Sequence, residues 1–425
     1  MTGRVIIVTG ANTGIGYAAA QNLCEGGNDV ILACRNEEKG KLAVEKILKK
    51  SPNALATFMQ LDLADMASIR KFVEDFQETG KKLNVLINNA GVAPMQKQYT
   101  KDNFDMSIGT NHLGPFLLTH LLLDDLKKTA SDGGEARIVN VSSSVHDPQK
   151  IGRKAKPTTT EDFFLDKEGA YTLQQAYKNS KLCNVLMTLS LAKQLEGTSV
   201  TCNCVCPGYV KDSELMRDVG TVRKFYHRWI ISTFVRFRRP EMYHSLEEAG
   251  RCLVDLAIKE EHKETTGKYF SSFQITEPSD EAKDEELQKS VYELSARYCH
   301  LEGYEALDAP PPPAPVERTK SKRKSKKPKA TEETQIEDKS DEKKEEGDEE
   351  KDALNTSDGI QFADAETSKI EENKEPETKP EETEETEEKP DETGDNKPKE
   401  LEPEDKEIKK DDAVVIETQA EVTTQ

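Results

Sequence analysis

Short β-branched runs alternate with longer stretches of helical periodicity through the first part of the chain. Arg4–Thr9 (RVIIVT), Asp29–Cys34 (DVILAC), Ala54–Leu61, Leu83–Ile87, Arg137–Val141 and Ser199–Val205 read as strands. Between them, Gly14–Gly26, Asn36–Lys50, Ser68–Thr79, Asn103–Lys128 and Tyr171–Leu195 carry helical patterns. Ser245-Leu-Glu-Glu248 has the spacing of a capping box and predicts a helix running to about Glu260. The strands are apolar runs, as expected of strands covered on both faces. Separated by helices, they predict an α/β fold with a parallel sheet, and right-handed crossovers make it doubly wound.

The periodic body stops near Leu307. Pro310–Pro313 and Pro315 predict a stiff extended spacer, followed by the basic run Arg318–Lys329 (RTKSKRKSKKPK). Beyond it Glu, Lys, Thr and Pro dominate, and Phe362 is the one aromatic residue from 331 to 425. Such a composition cannot bury enough apolar surface to offset chain entropy, which predicts disorder. The expected organisation is one folded domain over 1–307, a linker over 308–330 and a disordered acidic tail over 331–425.

Charge sharpens that boundary. The 425 residues carry a net charge of −20, but 331–425 alone holds 37 Asp and Glu against 13 Lys, a net of −24. Residues 1–330 come to +4, so the acidity belongs to the tail. No basic face is visible in the body, and nucleic acid is not an expected partner. The basic run is compatible with nuclear localisation, although the neighbouring acidic tail would compete for its charges and a solvated linker is the plainer reading. No apolar run approaches the roughly 18 residues of a membrane span, and Met1-Thr2-Gly3-Arg4 leads straight into a strand, which reads as no signal peptide. All eight Cys lie in the body at irregular spacing, as reduced thiols in a cytoplasmic protein would. Cys202, Cys204 and Cys206 share one strand face, but no second cluster and no HExxH spacing accompanies them, so no metal site is expected.

Chemistry enters at the first turn. Thr9-Gly10-Ala11-Asn12-Thr13-Gly14-Ile15-Gly16 joins the first strand to the first helix. Glycines there let the backbone approach a pyrophosphate, whose charge the helix N-terminus favours. Alone, such a turn is a weak signal. At the end of the second strand, an acid would bind the ribose 2′-hydroxyl of NAD, whereas Arg accommodates the 2′-phosphate of NADP. Cys34-Arg35 stands there, with no acid before Glu37, which favours NADP(H) over the alternative of a solvated arginine opening a helix. Further on, Tyr177-Lys-Asn-Ser-Lys181 puts Tyr177 and Lys181 on one helical face. A neighbouring ammonium is expected to lower a phenol pKa from about 10 towards neutrality. In so Lys-rich a chain, that pair by itself means little.

The order of these signals means more. TGANTGIG is followed by Asn88-Asn89-Ala90-Gly91 after the fourth strand, Ser142-Ser143-Ser144 after the fifth, YKNSK, and Pro207-Gly208 after the sixth. Over roughly residues 1–275 this resembles the short-chain dehydrogenase/reductase family with its Rossmann sheet. Ala33-Cys-Arg-Asn-Glu-Glu-Lys-Gly40, Asn111-His-Leu-Gly-Pro-Phe-Leu-Leu-Thr119 and Ile138-Val-Asn-Val-Ser-Ser143 resemble the retinol-dehydrogenase-like branch. The resemblance implies Tyr177 as proton donor and acceptor, Lys181 as the group that tunes it and holds the nicotinamide ribose, Ser143 on the substrate oxygen, and Asn111 holding a water in the proton relay. It further implies cofactor contacts at Gly10, Thr13, Gly14, Ile15, Gly16, Arg35, Asp62, Leu63, Asn89, Ala90, Gly91, Pro207, Gly208 and Val210. The implied activity interconverts a carbonyl and an alcohol, with NADP(H), on a small lipophilic substrate, and homo-oligomers are common in the family.

Several features depart from that pattern. The branch usually begins with an apolar anchor, whereas this chain begins at the first strand, which implies a soluble enzyme or a sequence lacking its true start. Pro207-Gly-Tyr-Val-Lys-Asp-Ser213 carries an extra residue, with Asp212 where a hydroxyl is usual. Ser143 to Tyr177 is a long excursion that includes Pro148–Asp162 and is expected at the substrate mouth. Arg223–Arg239 (RKFYHRWIISTFVRFRR) has an apolar centre, six Lys and Arg and no acid. It reads either as a lid that also touches an anionic membrane surface or as an ordinary cap with solvated arginines. A rival to the enzyme is a cofactor-binding scaffold whose tail recruits protein partners.

Overall fold

A computed structural model of the chain describes residues 3–147, 172–210, 232–238 and 240–309. The 148–162 excursion, most of Arg223–Arg239, the Asp212 position, the basic linker and the acidic tail lie outside the described residues.

Val- and Ile-rich runs become strands because their branched side chains fit a pleated surface buried on both sides. In chain order, β1 (Val5–Thr9), α1 (Gly14–Glu25), β2 (Asp29–Cys34), α2 (Glu37–Lys50), β3 (Leu55–Gln60), α3 (Met66–Glu78) and β4 (Leu83–Asn88) form the first half. Next come α4 (Gly114–Leu121), α5 (Leu123–Ser131), β5 (Ala136–Val141), α6 (Leu173–Gln194), β6 (Val200–Cys206) and β7 (Tyr209–Val210). The described part closes with α7 (Ser232–Arg238), β8 (Tyr243–His244), α8 (Leu246–Ile258), β9 (Tyr269–Ser271), β10 (Gln274–Thr276) and α9 (Glu285–Tyr298).

One eight-stranded sheet runs β10-β9-β6-β5-β4-β1-β2-β3. Only β10 is antiparallel to its neighbour. Successive residues point to opposite faces, so each strand feeds two cores. Ile6, Val8, Val30 and Leu32 pack beneath α1 and α8 with Ala19, Leu23 and Leu253. Ile7, Ile31, Leu86 and Ile138 face Phe72, Phe116, Leu186 and Val291 from α3, α4, α6 and α9. Gly250 lets α8 close on α1: a Cβ there would stand 2.8 Å from the Ala18 Cβ. The doubly wound sheet follows from the pattern, and the strand order changes direction between β1 and β4. In sheets of this kind such a switch point makes a crevice at the carboxyl ends of the strands, and ligands bind in it.

Four of the predicted helices start where side chains cap them. Asn36 accepts from Lys39 N–H, Asp65 from Ala67 and Ser68 N–H, and Thr172 from Gln175 N–H. The Ser245/Glu248 capping box forms in both directions, although α8 stops at Ile258 and a 3-10 turn takes Glu260–His262. The helix expected over Asn103–Lys128 is corrected. Asn103 sits at φ +64°, so helix begins only at Met106, capped by Asp105. Gly109–Leu113 is then a π-helical segment, and the helix breaks at Leu122. The strands β7 to β10, two or three residues each, are too short to carry a legible period.

Candidate active site

Thr9 closes the crevice floor between β1 and β4. Its buried hydroxyl donates to Ile87 O at 3.3 Å and accepts from Asn89 N–H and Ala90 N–H, both at 3.0 Å. Asn89 Nδ2 in turn donates to Thr9 O at 2.8 Å. The glycine turn is built against this knot. A Cβ on Gly16 would lie 2.4 Å from Asn89 Nδ2 and 2.6 Å from Gly10 O, so the helix start can approach the turn only as glycine. Gly14 has φ +59° with nothing within 4 Å of a built Cβ, leaving open space over the α1 N-terminus. Thr13 is the extended N-cap residue and Ile15 is half-buried. This is a cradle suited to a pyrophosphate. Arg35 follows the last residue of β2 and is exposed. Asp62 and Leu63 follow β3: the Asp62 carboxylate accepts from Ala64 N–H at 3.0 Å, and Leu63 is buried.

Asn89-Ala90-Gly91 leaves β4 towards the helices. A Cβ on Gly91 would be 3.5 Å from both Asn111 Oδ1 and Lys181 Nζ, which brings the fourth-strand motif to the lysine. Asn111 lies at the centre of the π segment, a distortion common at functional sites. Its Oδ1 accepts from Val92 N–H at 2.7 Å, and its Nδ2 donates to Val92 O at 2.9 Å and Ser180 Oγ at 3.0 Å. Ser180 Oγ donates to Tyr177 O at 2.7 Å, so Asn111 braces the turn that carries the tyrosine. Its side chain serves first as a clamp; what it offers a water is the second lone pair of Oδ1.

At the end of β5 the three serines divide. Ser142 is buried and its Oγ donates to Lys181 O at 2.7 Å, which commits it to α6. Ser144 N–H donates to Cys206 Sγ at 3.2 Å. Ser143 is half-buried, and among the described residues its Oγ has one long contact, from Val145 N–H at 3.5 Å, so its hydroxyl is not committed to α6 as that of Ser142 is. Opposite it, Lys181 Nζ donates to Val141 O at 2.9 Å and stands 5.8 Å from the centre of the Tyr177 ring. Asn184 Nδ2 reaches the same carbonyl at 3.1 Å. Pro207, Gly208 and Val210 continue β6 into a short parallel pair with Tyr243 and His244; Gly208 turns at φ +81° with no room for a Cβ beside His244.

The electrostatics correct one expectation. Burial pushes the Tyr177 phenol up, well above its ordinary value, and pushes the Lys181 ammonium down to about 8. Desolvation is the largest cause for both groups. His112, next to Asn111 in the π segment, is buried, bonded to Ser295 Oγ at 2.8 Å and held by burial at about 3. Cys202, Cys204 and Cys206 are buried free thiols, and no metal-binding group is found among the described residues. Sequence reading missed Thr9, Ser180 and Asn184. Asn184 was the most legible, a polar residue three positions from Lys181 on a buried helical face.

A parallel sheet with a glycine cradle, an arginine at the second strand and a Ser/Tyr/Lys cluster is the framework of a nucleotide-dependent oxidoreductase. A family model described as short chain dehydrogenase matches residues 4–154. Retinol dehydrogenase 11 of Homo sapiens is 38% identical over 303 residues, covering 71% of this chain and 87% of the relative. Polyprenol dehydrogenase of Mus musculus is 37% identical over 292 residues, covering 68% and 82%. Among solved structures, an uncharacterized protein from Mycobacterium Paratuberculosis superposes with a TM-score of 0.51 at 27% identity, over 70% of this chain and 94% of that one. The chain belongs to the short-chain dehydrogenase family, in its retinol-dehydrogenase-like branch, and is an oxidoreductase of carbonyl and alcohol groups.

The two adjacent serines separate in a test. Ser142→Ala is expected to lower unfolding free energy by roughly 1–2 kcal/mol, because Lys181 O loses its buried partner. Ser143→Ala is expected to leave stability within about 0.5 kcal/mol of wild type while removing turnover. Urea unfolding and steady-state rates of the two variants check both.

Proposed function

We propose that the protein is an NADP(H)-dependent oxidoreductase that interconverts a carbonyl and an alcohol on a small lipophilic substrate, with Tyr177 as the proton donor and acceptor. The observation that carries the reading is the convergence of Gly91, Lys181 Nζ and the Tyr177 ring at the carboxyl ends of the central strands. Gly14 and Gly16 would hold the pyrophosphate at the α1 N-terminus, and Lys181 the nicotinamide ribose. Arg35, exposed beside the second strand, favours a 2′-phosphate through a charge-assisted contact. The retinol and polyprenol dehydrogenases among its relatives support a lipophilic substrate.

When bound, the nicotinamide supplies or takes the hydride. The chain does the rest. Ser143 Oγ donates to the substrate oxygen and holds it beside Tyr177. A phenol kept protonated by burial is the form that can give its proton to a developing alkoxide. Lys181, at about 8, is still largely an ammonium at neutral pH and stabilises the phenolate left behind. In the reverse direction the same phenolate takes the proton from the alcohol.

The reading extends to location: a cytoplasmic protein that touches anionic membrane through 223–239. The described end of that segment, α7, supports it, since Phe237 is 80% exposed between the exposed Arg236 and Arg238. A nuclear address in 318–329, homo-oligomers, and partners for the acidic tail belong to the same set of proposals.

Tyr177→Phe is expected to lower kcat for NADPH-driven reduction of all-trans-retinal by about 10²- to 10⁴-fold with NADPH affinity unchanged. Undiminished turnover would remove Tyr177 from the mechanism. Arg35→Ala is expected to raise the KM for NADPH about tenfold or more and to spare NADH; equal effects on both cofactors would contradict the 2′-phosphate role. The protein should sediment with phosphatidylserine vesicles at low salt and be released at high salt. No binding at low salt ends the membrane proposal.

A further inference from the structure

His146 sits three residues beyond Ser143 and is buried, 3% exposed, at the end of the 3-10 turn Ser144–His146. Both ring nitrogens have backbone partners. Nε2 lies 3.2 Å from the N–H of Ser279, and Nδ1 lies 2.8 Å from the carbonyl oxygen of Ser143. A backbone N–H can only donate, so Nε2 must present its lone pair. A carbonyl can only accept, so Nδ1 must carry the proton. The two partners together select one neutral tautomer. The ring packs against Tyr269 of β9, with centroids 4.7 Å apart and the planes tilted by 58°.

We infer that His146 is a positioning residue for the reaction: as the Nδ1-protonated imidazole it clamps the Ser143 carbonyl and ties the serine to the C-terminal segment at Ser279. That tie has a consequence for the site. Ser279 caps the turn Asp280–Lys283, and the following helix α9 lies against α6, which carries Tyr177 and Lys181. Gln288 Nε2 donates to Ala282 O at 2.8 Å, Ser190 Oγ of α6 donates to Gln288 O at 3.4 Å, and Tyr292 Oη donates to Gln194 Oε1 at 2.8 Å. The C-terminal layer thus touches both sides of the pair: α6 directly, and the Ser143 turn through one imidazole. Ser144 N–H on Cys206 Sγ fixes the same turn from β6. Displacing Ser143 by a fraction of an ångström from the oxygen that it shares with Tyr177 lowers rate without loosening the cofactor cradle at β1 and β2.

The inference rests on the oxidoreductase reading, and its test separates the two. His146→Asn puts an amide where Nδ1 stands and keeps a donor for Ser143 O; His146→Gln puts an amide near Nε2 and keeps only the acceptor for Ser279 N–H. With NADPH and all-trans-retinal, the full chain bearing His146→Asn should keep kcat within about threefold of wild type. His146→Gln should lose about 10- to 100-fold in kcat, with NADPH affinity unchanged and thermal stability no lower than that of the Asn variant. A merely structural histidine would make kcat follow stability in both, and that result, or equal kcat in both, overturns the clamp. Nitrogen-15 spectra of the wild-type ring give a readout independent of turnover: a single tautomer protonated at Nδ1 is expected, and protonation at Nε2 or rapid tautomer exchange overturns the assignment. A wild type that retains the Nδ1 tautomer but does not turn over all-trans-retinal refutes the proposed function at that substrate, on which the role rests, and not the clamp itself.

Discussion

The carbonyl of Val141 joins the two halves of the site. It ends β5, one residue before the serine turn, and receives both Lys181 Nζ and Asn184 Nδ2 from α6. Ser142 returns the contact by donating to Lys181 O. Strand and helix are therefore held to each other by three buried hydrogen bonds at the level of Ser143 and Tyr177, which in the proposed mechanism share one substrate atom. Each bond satisfies a group whose burial would otherwise cost free energy, so the clasp is self-enforcing. Shape at the site follows from polar satisfaction in the core behind it.

That burial also sets the electrostatics. A phenol and an ammonium placed in low dielectric both move towards their neutral forms, the phenol upward and the ammonium down to about 8. The folded site thus favours a neutral tyrosine ready to give a proton. In the proposed mechanism, phenolate becomes accessible only as charge appears on the substrate oxygen, when Lys181 can offset it. The network continues away from the crevice: Asn88 Nδ2 contacts Asn140 Oδ1 and Thr119 Oγ1, and Asn140 Nδ2 donates to Thr188 Oγ1. Together these fix β4, β5, α4 and α6 as one block.

Much of this was legible in the chain. Doubly buried strands announce themselves as apolar runs, so β1, β2 and β4 to β6 emerged within a residue or so. The turn residues Gly10 to Gly16 stood out because only glycine tolerates what the backbone does there. Less legible were features that tertiary contact decides. The resemblance singled out Asn111, but the segment around it read as ordinary helix, whereas its bonds to Val92 and Ser180 accompany a local widening to π geometry. The choice of Ser143 over Ser142 rested on counting from Val141, and the structure distinguishes them by which one α6 engages. The Tyr177/Lys181 spacing was read correctly as a shared face, but spacing carries no information on burial, and the direction of the phenol shift was therefore missed. His146 and Ser279, 133 positions apart, have no common pattern in the sequence at all.

The central claim is that one oxygen atom of a carbonyl substrate is held jointly by α6 and by the turn after β5. A crystal structure of the full chain with NADPH and an unreactive ketone tests it directly. The account predicts the ketone oxygen within hydrogen-bond distance of both Tyr177 Oη and Ser143 Oγ, with Lys181 Nζ bonded to the nicotinamide ribose. A nicotinamide bound away from Gly91, or a ketone oxygen held by neither hydroxyl, would contradict it.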